Sequence, residues 1–122
     1  MSLLLANDRL FIAGSRGMAG SAIVRALQRA GYGDLARGGE LLTPARQELD
    51  LLDGQAVQRW MAVHKPSVVV LAAATVGGIE ANRSRPADFL LDNLKIQTNV
   101  IETAWQAGVR RLLFLGSSCI YP

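Results

Sequence analysis

Gly14, Gly17 and Gly20 stand three residues apart between the apolar run Leu10–Ala13 and an amphipathic stretch that starts at Met18. No other feature constrains this chain as much. A strand that ends in glycines leaves no side chains where a diphosphate would approach the backbone, and it lets the following helix pack close to the strand. Backbone N–H groups at the start of that helix then face an anion. The same glycines also suit a tight strand-to-helix turn that holds nothing, so the motif needs its context.

The context is a series of βα units. Met1 to Asp8 reads as a short leader, and Leu10 to Ala13, apolar without alternation, as a fully buried strand. Met18 to Ala30 has helical spacing, with Ile23, Val24 and Leu27 inward, Arg25, Gln28 and Arg29 outward, and Gly31 and Gly33 as its end. Glu40 to Thr43 is a second strand stopped by Pro44, and Glu48 to Leu51 fits a further short strand at the sheet edge. Asp53 is placed to cap a helix running to about His64, with Val57, Trp60 and Met61 on one face. Ser67 to Ala73 is β-branched and apolar on both faces, a central strand. Thr75 to Pro86 reads as a loop, Pro86 to Gly108 as a long helix, and Leu112 to Leu115 as a last buried strand. The expected fold class is α/β, a Rossmann-like doubly wound parallel sheet of strand order 3-2-1-4-5, truncated, with the glycine turn beside the switch point.

Composition narrows the rest. Half of the 122 residues are hydrophobic, enough for one core, and the net charge of +3 comes from scattered arginines without a basic block or stripe. Nucleic-acid binding is not expected. The single cysteine, Cys119, has no partner for an internal disulfide, and the longest apolar run, Val68 to Ala74, is far short of a membrane span. A cytoplasmic protein without a membrane partner or a metal site is the expectation. His64 reads as a surface or capping residue, and Trp60 and Trp105 as core or interface.

The end of the second strand is where NAD-binding proteins place an acid against the ribose hydroxyls. Glu40 begins that strand and so sits at the wrong end of the sheet, whereas Arg46 follows its tip and Arg16 lies inside the glycine turn. Two guanidiniums without a competing carboxylate fit a 2′-phosphate, which favours NADP over NAD. A solvated loop arginine is the plainer reading of Arg46.

Five segments together resemble one family. Gly14-x-Arg16-Gly17-Met18-x-Gly20-Ser21, Glu48 to Asp53, Ala72-Ala73-Ala74-x-Val76-Gly77-Gly78-Ile79, Pro86 to Phe89 and Leu115 to Pro122 are similar to the amino-terminal part of the GDP-L-fucose synthases. These are extended short-chain dehydrogenase/reductases that epimerise C3 and C5 of GDP-4-keto-6-deoxymannose and then reduce the C4 ketone with NADPH. The resemblance implies a homodimeric parent enzyme and a cofactor site at Gly14, Ser15, Arg16, Gly17, Met18, Gly20, Arg46, Leu51, Leu52, Ala72, Ala73, Ala74 and Asn93. It also implies that Ser117 hydrogen-bonds the substrate ketone and that Cys119 is the acid/base of epimerisation. Read without the resemblance, Ser117 is ordinary turn chemistry and Cys119 a small apolar residue. Thr75 stands where family members often carry lysine.

The family's Tyr-x-x-x-Lys pair and sugar-nucleotide domain would follow Pro122. Residues 1–122 are therefore expected to be an NADP-binding amino-terminal fragment without turnover, prone to associate through apolar surface left uncovered. Two rivals remain open at this point: another extended short-chain nucleotide-sugar epimerase or dehydratase, and a non-catalytic dinucleotide sensor.

Overall fold

A computed structural model of the chain describes residues 3–72 and 86–115. The elements run β1 (Arg9–Ala13), α1 (Met18–Arg29), a short 3-10 turn (Leu35–Arg37), β2 (Glu40–Leu42), α2 (Gly54–His64), β3 (Val68–Leu71), α3 (Pro86–Gln106) and β4 (Arg111–Phe114). The four strands form one parallel sheet in the order β2-β1-β3-β4.

Side chains alternate across the pleat, and this sorts the core into two halves. Leu10, Ile12, Val68 and Val70 face α1 and meet Ile23, Val24 and Leu27. Phe11, Ala13, Val69 and Leu71 face the other way, against Val57 and Met61 of α2 and Ile96, Val100 and Ala104 of α3. Trp60 stacks on Phe11 with ring centroids 4.4 Å apart, so it belongs to the core as the sequence suggested. β1 and β3, buried on both faces, are apolar at nearly every position for that reason. Asp53 caps α2 by accepting from the N–H groups of Gln55 and Ala56. Among the described residues no helix is long and apolar enough to cross a membrane.

Three expectations need correction. Residues 48–51 form no strand: Glu48 ends one turn, Leu51 begins another, and Leu49 and Asp50 between them are irregular, because the backbone groups here are satisfied locally. Glu48 and Leu49 N–H both donate to the Ala45 carbonyl, Ala45 N–H donates to Glu48 Oε1, and Leu52 N–H donates to Asp50 Oδ1. Such bonds compete with a sheet ladder. The order of the remaining strands is the expected one with that member left out.

β4 pairs with β3 but is not buried: Leu112, Leu113, Phe114 and Leu115 are 36–52% exposed, as the outermost strand among the described residues. Trp105 is exposed on α3 and not core. The loop expected over Thr75–Pro86 lies outside the described residues, apart from Pro86 itself.

The supposed leader is the third correction. Asp8 is 3% exposed and ties the amino end of the sheet together. Its carboxylate accepts from Leu5 N–H at 2.6 Å, from the Ser67 hydroxyl at 2.8 Å and from the Arg110 guanidinium. Arg9 beside it reaches Glu40 at 2.6 Å and donates to the His64 carbonyl at the end of α2, where a cation also favours the helix dipole.

Burial alone would raise the Asp8 pKa. The hydrogen bonds from Arg110, Leu5 and Ser67, with the Arg110 charge, outweigh it and hold the carboxyl below its ordinary value. A depressed folded-state pKa contributes stability that is present above the ordinary carboxylate range and lost as the pH falls through it towards the folded value. Asp8→Ala should therefore cost about 2–4 kcal/mol at neutral pH, somewhat below a fully buried pair because Arg110 is a third exposed. Chemical denaturation at pH 7 and at pH 3 checks both statements: the penalty should shrink at the lower pH, and an equal penalty at both would contradict the ion pair.

Candidate functional site

β1 ends at Ala13, and Gly14 follows with φ +86°, the left-handed region that a side chain disfavours. Gly17 N–H bonds back to the Gly14 carbonyl at 3.1 Å and closes the turn. Gly17 then enters α1 from an extended conformation, and no side chain caps the helix. The first-turn N–H groups are left for an external acceptor, and no acid stands in that turn to oppose an anion.

Gly20 serves packing instead. A Cβ there would lie 1.9 Å from the Gly14 carbonyl oxygen and 2.9 Å from Ser15 Cα, so the first turn of α1 rests directly on the backbone of the glycine turn.

The turn forms one end of a cleft of ≈ 440 Å³ at the carboxyl edge of the sheet. Ala13, Phe11 and Ala72 supply its base, Ala72 being held by a hydrogen bond from its N–H to the Ala13 carbonyl at 2.9 Å. Leu49, Asp50, Leu51 and Leu52 line it as one continuous segment, together with Pro44, Arg46 and, from α3, Asp92 and Ile96. Its volume suits a nucleotide-sized ligand, and its apolar walls carry a few placed polar groups, as ligand sites do.

The sequence-based site residues divide into three groups. Gly14, Ser15, Arg16, Gly17, Arg46, Leu51, Leu52 and Ala72 come together in this one cleft, although the chain from Gly17 to Arg46 separates two of its sides. Met18, 93% exposed, Gly20 beneath the turn and Asn93 on α3 are not among the lining residues. Ala73, Ala74, Ser117 and Cys119 lie outside the described residues, as does Thr75.

Glu40 is at the opposite edge of the sheet, paired with Arg9, so it stays away from this cleft. Arg16 and Arg46 are both exposed, with their guanidiniums free to reach a ligand rather than locked in the core.

Sequence reasoning missed Pro44, Leu49, Asp50 and Asp92. Leu49 and Asp50 were hidden by the expectation of a strand at 48–51, and Pro44 by its reading as a strand breaker alone. Asp50 and Asp92 bring carboxylates, acceptors for an amino or hydroxyl group, to a rim whose other charges are the two arginines.

The two glycines should respond differently to the same substitution. Gly20→Ala drives a methyl into backbone and should cost about 3 kcal/mol or more. At Gly17 a Cβ would meet only the Gly14 carbonyl, at an ordinary 3.5 Å, and φ is negative, so Gly17→Ala should stay within about 1 kcal/mol. Thermal unfolding of the two variants checks the contrast, and a Gly20→Ala chain as stable as the unaltered one would overturn the packing role.

Residues 10–122 match the family model described as "NAD dependent epimerase/dehydratase family". The chain is 54% identical over 116 residues to GDP-L-fucose synthase 1 of Arabidopsis thaliana, covering 95% of this chain and 34% of that protein. It is 51% identical over 118 residues to the GDP-L-fucose synthase of Escherichia coli strain K12, covering 97% and 35%. Among solved structures, MlghC, a GDP-mannoheptose C4 reductase from Campylobacter jejuni with NADP bound, superposes with a TM-score of 0.86 at 39% identity, over 98% of this chain and 36% of that one. The chain thus spans about a third of the length of the curated relatives it matches. With a glycine turn, an uncapped helix start and a nucleotide-sized cleft on a parallel sheet, and a family match over almost its whole length, the chain belongs to the NAD dependent epimerase/dehydratase family.

Proposed function

We propose that this chain is the dinucleotide-holding part of a GDP-L-fucose synthase and that it takes NADP by its adenosine 2′-phosphate end. The observation that carries the coenzyme preference is the presence of Arg16 and Arg46 in one cleft beside the glycine turn. Two guanidiniums from different segments suit a doubly charged phosphate, and of the two carboxylates in the cleft Asp50 already accepts from Leu52 N–H and Asp92 stands on α3, so neither follows β2 directly, where an acid for a free ribose diol belongs. The diphosphate lies against the Gly14–Gly17 turn and the open N–H groups of α1. Leu51 and Leu52 flank the adenine.

The sugar is supported by the relatives. The two synthases are named for GDP-L-fucose and the reductase for a GDP-linked heptose, so a GDP-sugar is their common substrate class. NADPH, when bound, supplies the hydride for the C4 ketone. Ser117 then donates a hydrogen bond to the ketone oxygen and stabilises the charge developing there. Before that reduction, while the C4 carbonyl still acidifies its neighbours, Cys119 moves the proton on one face of each adjacent carbon and a second acid/base of the whole enzyme serves the opposite face, which inverts C3 and C5. A stripe of Leu90, Leu94, Ile101 and Trp105 along the exposed side of α3 supports helix-to-helix pairing of two copies in the whole enzyme.

Calorimetric titration with NADP and NAD tests the coenzyme reading. The unaltered chain should prefer NADP, and Arg46→Ala or Arg16→Ala should each weaken NADP about tenfold while leaving NAD nearly unchanged. Equal affinity for the two dinucleotides would refute it. Cys119→Ala in the full-length enzyme should stop exchange of solvent deuterium into the sugar while leaving NADP affinity unchanged; retained exchange would remove the thiol from the mechanism.

A further inference from the structure

The Leu51–Leu52 wall of the cleft is irregular backbone, and it is fastened from behind by a residue that does not line the cleft. Asn99 of α3 donates from Nδ2 to the Leu51 carbonyl at 2.8 Å. Its neighbours on the helix hold it there: Ile96 and Val100 are 8% and 0% exposed, which fixes the rotation of α3 against the sheet.

Gly54 supplies a second observation. A Cβ at this first residue of α2 would stand 3.0 Å from Asn99 Oδ1, closer than side chains ordinarily pack. The absent side chain therefore leaves the slot that the amide occupies. Wall, helix cap and slot are consecutive in the chain: Leu52 N–H is held by Asp50 Oδ1, Asp53 caps α2, and Gly54 opens it.

From this arrangement we propose that Asn99 is a positioning residue for the adenosine pocket, setting the place of Leu51 and Leu52 through the Leu51 carbonyl. The proposal rests on the dinucleotide reading above. It requires a donor at this position, because a carboxylate cannot donate to a carbonyl and would oppose it. The residue touches no ligand itself, so its effect must appear at the adenosine end and not at the diphosphate turn.

Asn99→Asp, Gly54→Ala and the combined variant, each compared with the unaltered chain, test this with two probes. Adenosine 2′,5′-bisphosphate contacts the wall and inorganic pyrophosphate only the glycine turn, with affinities read by calorimetry and by NMR shift titration. Each single variant should weaken the bisphosphate about fivefold, the worth of one hydrogen bond, and leave pyrophosphate unchanged. The combined variant should lose no more than the larger single loss, since both changes remove the same contact.

Unchanged bisphosphate affinity, an equal loss for both probes, or additive losses would overturn the proposal. Variants that fail to fold would do so too, by assigning the amide to stability alone. An unaltered chain that binds neither probe refutes the dinucleotide reading itself, whereas one that binds both and ignores Asn99 refutes only this inference.

Discussion

The Gly14 carbonyl occupies the space that a β-carbon on residue 20 would need, and the arrangement of the cleft depends on that approach. It fixes α1 directly on the end of β1. β1 is paired with β2 up to Phe11 and with β3 on to Ala13, so its end is held by the sheet. The helix start is thereby aimed across the carboxyl edge, and a turn made almost wholly of main chain is held in place without side chains of its own.

α3 joins the two requirements of the fold, a closed core and an open edge. Ile96, Val100 and Ala104 seal the face that Phe11 and Val69 share with α2. The same helix sends Asp92 to the cleft and Asn99 to the back of its wall. Contacts three and four residues apart on one helix thus couple the core to the ligand edge. A small rotation of α3 would be felt at both.

Much of this was legible in the chain because the signals were local. The apolar runs at Leu10–Ala13 and Val68–Leu71 have no alternation, as buried parallel strands require, and Asp53 announces its helix by residue type and place. Gly14, Arg16, Gly17 and Arg46 were legible by spacing and charge. All but one of the errors share a cause, the neglect of partners distant in sequence, and the exception is local. Glu48–Leu51 has strand-like composition, but Glu48 and Asp50 turn their carboxylates on nearby N–H groups. Asp8 gives no hint of burial until Arg110, 102 residues later, is brought beside it. β4 reads as buried from composition alone, since exposure depends on what lies next to it. Asn99 and Gly54 carry no motif, and only their proximity gives either a role.

The two edges of the sheet are held by different means. At the amino edge Asp8, Arg9, Ser67 and Arg110 form specific pairs, many of them side chain to backbone, and any one replacement disturbs several others. At the carboxyl edge the cleft combines the glycine turn with apolar walls, and its charged side chains are Arg16, Arg46, Asp50 and Asp92. The asymmetry separates two kinds of heritable change. A replacement at the amino edge bears on whether the chain folds; one among the exposed side chains of the carboxyl edge bears on what the cleft can hold, and leaves the scaffold beneath it as it was.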